Sequence, residues 1–498
     1  MPASTTSAPP ATASGRHRIL TSWAIVLVAL LVGGLGIGAL APRTTPTSDN
    51  SGDAALAAAT RRAAGDADGF QSLSVARIEN GRTTYAGVGT VGEGAPSPET
   101  TYELGSITKT FTGMLLADAV KRREMSLDSP LSTYLPELAG SPAGGTTPRQ
   151  LATHTSGLPR LPADPDWSGT WAALSGGDVY AGWTRQRLLD AAKSTKLESP
   201  GTRAYSNLGT ALLGEAEARA AGAASWSDLA RTRLLEPLGM THTTFADSGT
   251  PLPAGAALPY AENGFPTSAW TGPGYVPAGS STRTTAADMA RFATAVLDGT
   301  APGVAALDPV SKVTDTRSSG LAWVIDDDGT RRTTWHNGGT GGSHTMLALD
   351  RAAKTAVVVL GNSSASVDHV GIGLLREPIA APSGWSTIRI LVCAVGLAFI
   401  ASPWLRALRP ANRIGLATGV VDGVIGGLFL WRWGPWHLLP HWVLGSGPAL
   451  AVVGVVYALM RMPEVPTRPA GRFAFAAGVV SLLISVVILV VAGAGALP

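Results

Sequence analysis

Cysteine is all but missing from this chain of 498 residues. Cys393 stands alone, so no intramolecular disulfide can staple any domain, and an exported domain would have to be held by its core. Charge is scarce as well. Charged residues make up 15% of the chain and the net charge is only +3, with arginines scattered beside apolar runs instead of gathered in a patch; nucleic acid is therefore not expected as a partner. Lysine is scarcer still, with six in the whole chain. What is abundant is apolar residues, 45% of the total and concentrated at the two ends, which points to membrane segments and membrane lipid as a contact.

Residues 1–18 read as a polar cytoplasmic tail ending in Arg16-His17-Arg18, and residues 19–41 as an uncharged span. Ala39-Leu40-Ala41 resembles a signal-peptide cleavage site, but Pro42 directly after it hinders cleavage, so an anchor is the preferred reading. Residues 42–55 read as a linker and 56–382 as a globular domain. Within it, Ser72 to Val88 is a predicted hairpin around Asn80-Gly81, helices are predicted at Ile107 to Val120, Pro148 to His154, Arg185 to Lys193, Leu208 to Ala221 and Thr284 to Leu297, and a loop at Ser156 to Trp183. Strand signals follow at Leu321 to Ile325, Arg331 to Trp335, His344 to Leu349 and Thr355 to Leu360. Helices between an early hairpin and a late meander imply an α+β fold, helices packed on an antiparallel sheet.

Four further apolar runs occupy residues 387–497: Ile388 to Leu405, Ile414 to Trp431, Trp442 to Met460 and Phe473 to Leu497. Arginines concentrate in the loops that would face inward, which places the globular domain outside the cytoplasm of a cell membrane crossed five times. Gly415, Gly419, Gly423 and Gly427 form a small-residue stripe suited to helix association within the bundle or between protomers. Asp422 beside it is either functional or a structural hydrogen-bonding group.

Chemistry centres on Ser106 and Lys109. Residues three apart on a helix are neighbours, so the amine can reach the hydroxyl, and of the six lysines only Lys109 has a serine three residues before it. A lysine activates a serine only if desolvation or a second cation makes it neutral. Tyr205-Ser206-Asn207 is the chain's only Tyr-x-Asn; the phenol can shuttle a proton and the amide can both donate and accept. His336-Asn337-Gly338-Gly339 removes side chains where a substrate backbone would approach a strand edge, and a backbone N–H there could complete an oxyanion hole with that of Ser106.

Together these motifs resemble the class C β-lactamase and penicillin-binding-protein-like serine hydrolases, whose pattern is Ser-x-x-Lys, Tyr-x-Asn and then Lys-Thr-Gly or His-x-Gly. The resemblance covers roughly residues 60–365, including Gln150 to Pro159 and Glu236 to Met240. It implies an acyl-enzyme on Ser106, Lys109 and Tyr205 exchanging its proton, Asn207, His336, Gly338 and Gly339 binding substrate, and N–H groups of Ser106 and Gly339 as oxyanion hole, with no metal and no cofactor. The substrate would be a small molecule or peptide, including cell-wall-derived ones: an amide, peptide or ester. Ser48-Asp49-Asn50 and Lys354-Thr355-Ala356 mimic related motifs but are misplaced, and His154 reads as structural. His336 stands where a lysine would be a permanent cation; an ordinary histidine is about one quarter charged at pH 7, so recognition of a substrate carboxylate should weaken. A slowly acylated penicillin- or peptidoglycan-sensing receptor is the alternative to an enzyme, and a transporter resting on Asp422 a third reading.

Overall fold

Asn80 and Gly81 adopt φ values of +51° and +78°, the left-handed pair that a type I′ turn requires, and so close a hairpin between strands Ser72–Glu79 and Arg82–Gly89. The computed structural model to which this hairpin belongs describes residues 27, 30–65, 69–163, 168–246, 249–376, 384–408, 412–467 and 479–485. It divides into two compact units, Arg43–Gly384 and a helical unit formed from Met1–Pro42 and Trp385–Pro498.

In the first unit, nine described strands form one antiparallel sheet: β1 (Asn50–Gly52), β2 (Ser72–Glu79), β3 (Arg82–Gly89), then, after the short β4 (Tyr102–Glu103), β5 (Thr244–Phe245) and β6 (Thr282–Thr284) of a separate three-stranded sheet, β7 (Ser311–Lys312), β8 (Arg317–Ser319), β9 (Val324–Asp327), β10 (Arg332–Gly339), β11 (His344–Asp350) and β12 (Thr355–Gly361). The order in space is β1-β3-β2-β12-β11-β10-β9-β8-β7. β12 lies between β2 and β11 with every residue buried, which is why Ala356 to Leu360 reads as an unbroken apolar run and not as an alternation. Its two faces serve two cores. Val357 and Val359, with Met346 and Ala348, pack against helices α1 (Ala54–Ala64) and, from the far end of the unit, α9 (Asp368–Leu375). Val358 and Leu360, with Leu347 and Leu349, pack into the larger core with the intervening helices: α2 (Thr108–Lys121), α3 (Pro148–Ala152), α4 (Ser168–Ser175), α5 (Arg185–Ser194), α6 (Asn207–Ala220), α7 (Trp226–Ala230) and α8 (Ala286–Leu297), except that α4 buries none of its residues. Each buried aliphatic side chain here contributes about 2–3 kcal/mol by leaving water, and Leu347→Ala would cost about 2–5 kcal/mol.

Capping places the helices. Thr147 and Gln150 form a reciprocal capping box on α3 with Pro148 at its first position, and Thr285 caps α8 as its sequence predicts. Two readings change. The stretch 42–55, taken as a linker, already carries β1, which pairs Asn50–Gly52 with Ala86–Val88, and α1 starts at Ala54 under the Asp53 cap; three polar residues at a sheet edge carry no apolar pattern to betray them. The Ser156 to Trp183 loop contains α4, whose exposed faces give it no helical apolar stripe.

Among the described residues the helical unit holds three helices long and apolar enough to cross a membrane, α10 (Thr387–Leu408), α11 (Arg413–Trp433) and α12 (His441–Arg461). At the N-terminal end the described portion is a short apolar helix, Leu30–Ala39; the rest of the span expected at 19–41, and most of the fourth C-terminal run at 473–497, lie outside the described residues. Two glycines of the stripe, Gly419 and Gly423, face neighbouring helices closely. A Cβ on Gly419 would sit 3.1 Å from Pro403 Cα of α10, and one on Gly423 would sit 2.8 Å from Val455 of α12, so bare backbone is what lets α10 and α12 close on α11. Asp422 is hydrogen-bonded by Ser402 at 2.6 Å and Ser485 at 2.7 Å, with Arg406 3.8 Å away.

Candidate active site

Ser106 sits in a single 3₁₀ turn, Gly105–Ile107, that runs straight into α2. One turn later Lys109 is fully buried. Its Nζ donates to Ser106 Oγ at 3.0 Å and to the Ala278 carbonyl at 2.6 Å, and lies 4.9 Å from the Tyr205 ring centre. The two acceptors are a hydroxyl and a carbonyl, neither of which carries a charge to stabilise an ammonium. Burial, reinforced by the Arg160 cation, holds the amine well below the ordinary lysine value, toward the neutral form that can take a proton.

Tyr205 precedes α6, whose cap, Ser206, is tied to the Pro159 carbonyl at 2.7 Å. Burial, only partly offset by the neighbouring Ser106 hydroxyl, pushes the Tyr205 pKa up to about 12, so it is held as a phenol. Asn207, the first residue of α6, donates to the Tyr180 hydroxyl at 2.6 Å, whereas its Oδ1 is buried without a hydrogen-bond partner. A buried amide acceptor without a partner can take a donor from a ligand.

The third motif lies on β10, whose pairing with β9 ends at Trp335 while its pairing with β11 continues to Gly339. The β9-facing edge of His336 to Gly339 is therefore left to the Ser106 turn. A Cβ on Gly338 would lie 2.2 Å from the Leu104 carbonyl oxygen and 3.1 Å from the Ser106 backbone nitrogen, so only glycine fits; the Gly339 nitrogen lies 2.7 Å from where a Cβ on Gly105 would stand. The backbone nitrogens of Ser106 and Gly339 are thus brought to one locus. His336 is buried, and its Nδ1 donates to the Asn337 carbonyl at 2.6 Å. Desolvation above all pushes it down to about 3. The partly charged His336 of an unperturbed histidine gives way to a neutral imidazole with Nε2 as acceptor.

Sequence reading missed three participants. Glu103, three residues before Ser106, is buried and accepts from the Trp270 backbone at 2.8 Å and the Thr340 hydroxyl at 3.0 Å; burial raises it to about 7. It ties the loop after β10 to the strand before the serine, and an acid between Tyr102 and Leu104 was its visible signal. Tyr180 and Ala278 are reached only through the fold. His154, read from the sequence as structural, has φ +60°, accepts from the Ser206 N–H at 3.2 Å and packs its ring 4.5 Å from that of Tyr205; burial holds it well below its usual value, so it is a neutral support for the tyrosine turn.

With that geometry in place, comparisons place the chain among known proteins. The family model described as Beta-lactamase matches residues 42–378. A beta-lactamase of Escherichia coli K12 is 31% identical over 175 residues, 34% of this chain and 42% of that protein. The D-alanyl-D-alanine-carboxypeptidase/endopeptidase AmpH of Escherichia coli K12 is 34% identical over 158 residues, 31% of this chain and 39% of that protein. The alignments thus span less than half the length of these curated relatives. Among solved structures, a class C beta-lactamase from Rhodobacter sphaeroides superposes with a TM-score of 0.53 at 25% identity, covering 63% of this chain and 95% of that one.

Proposed function

The chain belongs to the Beta-lactamase family, and from that premise we propose that it is a serine hydrolase acting through an acyl-enzyme on Ser106. The observation that carries this reading is Lys109: a fully buried amine, held toward neutrality and 3.0 Å from the serine hydroxyl. In the proposed step, Ser106 Oγ attacks an acyl carbonyl while its proton passes to the Lys109 amine. The N–H groups of Ser106 and Gly339 hold the oxyanion, an arrangement whose loss typically costs 10²–10³-fold. Tyr205, still protonated at neutral pH, relays a proton to the leaving group, and water then attacks the ester and restores Ser106 by the same relay. Asn207 Oδ1 accepts an N–H from the acyl side chain. His336 Nε2 accepts from the leaving-group side.

The substrate class we favour is an amide, peptide or ester, cell-wall peptides among them, as the relative named for a D-alanyl-D-alanine-carboxypeptidase/endopeptidase supports. We place the hydrolase unit outside the cytoplasm, tethered to the cell membrane by α10–α12 and the N-terminal apolar segment; the length and hydropathy of α10–α12 support the tether, and the arginine-rich loops support the sidedness. The test is covalent labelling of the detergent-purified chain by a fluorophosphonate and a fluorescent penicillin, each beside Ser106→Ala. Serine-dependent labelling followed by release of the adduct is the expected result. A penicillin adduct that persists turns the reading to a receptor, and labelling that survives Ser106→Ala overturns it.

A further inference from the structure

The strand that carries His336, Gly338 and Gly339 is also held from behind. Successive side chains of a strand turn to opposite faces, so while Gly338 meets the Ser106 turn, Asn337 lies with Trp335 on the other face, where α1 and α9 pack. There Asn337 Nδ2 donates to Asp368 Oδ2 at 2.8 Å, and Asp368 is the first residue of α9. The other oxygen, Asp368 Oδ1, is buried without a hydrogen-bond partner, 3.7 Å from His344 Nδ1. Val367, just before α9, donates its N–H to that same His344 nitrogen at 3.3 Å, and His344 stands opposite Gly339 in the register of β10 and β11. The opening of α9 thus grips both strands at the end that presents the Gly339 N–H. That end needs the grip, because its pairing with β9 has already stopped at Trp335 and a strand flanks it on one side only. α9 is itself firmly seated: a Cβ on Gly371 would lie 2.5 Å from the Met346 side chain of β11, and Val370 and Leu374 are buried in the smaller core.

From this arrangement we propose that Asp368 and Asn337 are positioning residues for the oxyanion hole: the carboxylate at the start of α9 pins β10 from its back face and so fixes where the Gly339 N–H stands relative to that of Ser106. This deepens the serine-hydrolase reading and rests on it. Neither side chain touches the reacting atoms; both act through the backbone of the strand. A hydrogen bond to a carboxylate suits the task, being about twice as strong as one between neutral groups. Precision is what it supplies, since oxyanion donors work at about 2.7–3.1 Å from the developing charge and a misplacement of about 1 Å can cost about 10²-fold. The loss of this tie should therefore appear in the covalent step and not in binding.

The experiment uses the full chain in detergent and a fluorophosphonate, in which the Ser106 Oγ–P bond forms as fluoride leaves and the phosphoryl oxygen takes the place of the oxyanion. The quantities read are the limiting rate of labelling at saturation and the concentration that half-saturates it. Asn337→Ala and Asp368→Ala should each lower the limiting rate about tenfold and leave the half-saturating concentration within about twofold. Asn337→Asp sets two carboxylates face to face and should fall at least as far. Adding Asp368→Asn to it reverses donor and acceptor across the same gap and should recover most of the rate. Leu374→Ala, which loosens α9 in its core without touching the tie, should stay within about twofold of the parent. Limiting rates within about twofold of the parent in both alanine variants, with labelling still requiring Ser106, overturn this inference alone. A reversed pair no faster than Asn337→Asp overturns it too, and decides the matter where the alanine variants do not fold. So does a fall in Leu374→Ala equal to that in Asp368→Ala, because a loosened core would then explain the loss. Labelling that survives Ser106→Ala removes the serine-hydrolase reading and this inference with it.

Discussion

Each unit of the molecule buries an ionisable side chain within a helix, Lys109 in the β-lactamase-family unit and Asp422 in the helical unit. Asp422 is met by complementary groups: two serine hydroxyls donate to its two oxygens, and Arg406 stands 3.8 Å away. Lys109 is met by the opposite. Its partners are uncharged, the charge that acts on it is the Arg160 cation, and one of its acceptors is the proposed nucleophile. A buried charge whose needs are met ties helices together, while one whose charge is opposed is tuned to give up its proton. The comparison favours the structural side of the two readings of Asp422.

The sharpest way to break the comparison is at the nucleophile. Ser106→Ala should lower kcat/KM by about 10³-fold or more, measured with any thioester the parent turns over, while the circular dichroism spectrum is retained. Next comes the lysine itself. Lys109→Met fills the same buried space without a titrating group and should lower kcat by about 10²–10⁴-fold, the range a general base supplies; a loss under tenfold would mean that the amine is structural, like Asp422. The pH profile sharpens the same point. A base held well below the usual lysine value places the acid limb of kcat/KM below the ordinary lysine range, with activity rising as the amine deprotonates. The alkaline limb waits for Tyr205, near 12, and His336, already neutral above about 3, adds no inflection between pH 5 and 9. An acid limb near pH 10 would sink the neutral-lysine reading. The smallest effect belongs to the other unit: Asp422→Asn keeps the shape and loses the charge, and should destabilise by about 1 kcal/mol or less, a thermal shift of a few degrees, with the rate of Ser106 labelling unchanged. A tenfold drop in that rate would give Asp422 a functional role.

Much of the fold was legible because local chemistry and tertiary context agree: the Asn80-Gly81 turn, the helix that opens at Pro148 and the last two strands fall where their residues predict, while β10 runs on past the expected Trp335 to Gly339. The three motifs were legible as a set, since each brings a residue type that its neighbourhood does not otherwise need. What stayed hidden was whatever depends on partners distant in sequence. Nothing near His336 announces that burial strips its proton, and nothing near Asn207 announces Tyr180. β1 was invisible because an edge strand of three polar residues owes its form to the neighbour it pairs with, and α4 because an exposed helix leaves no apolar stripe.

The middle of the sheet has a consequence for how the unit comes into being. β2, near its start, is stitched directly to β12, near its end, with Glu79 opposite Thr355. At ~5–20 residues per second of synthesis, those partners are made tens of seconds apart. Until β12 arrives, the apolar faces of β2 lack their central neighbour, and the pairing that finally joins them is of the long-range kind that folds slowly. The nascent chain must therefore be kept from aggregating throughout that interval, and a truncation that removes β12 leaves two cores without their shared wall instead of a smaller enzyme.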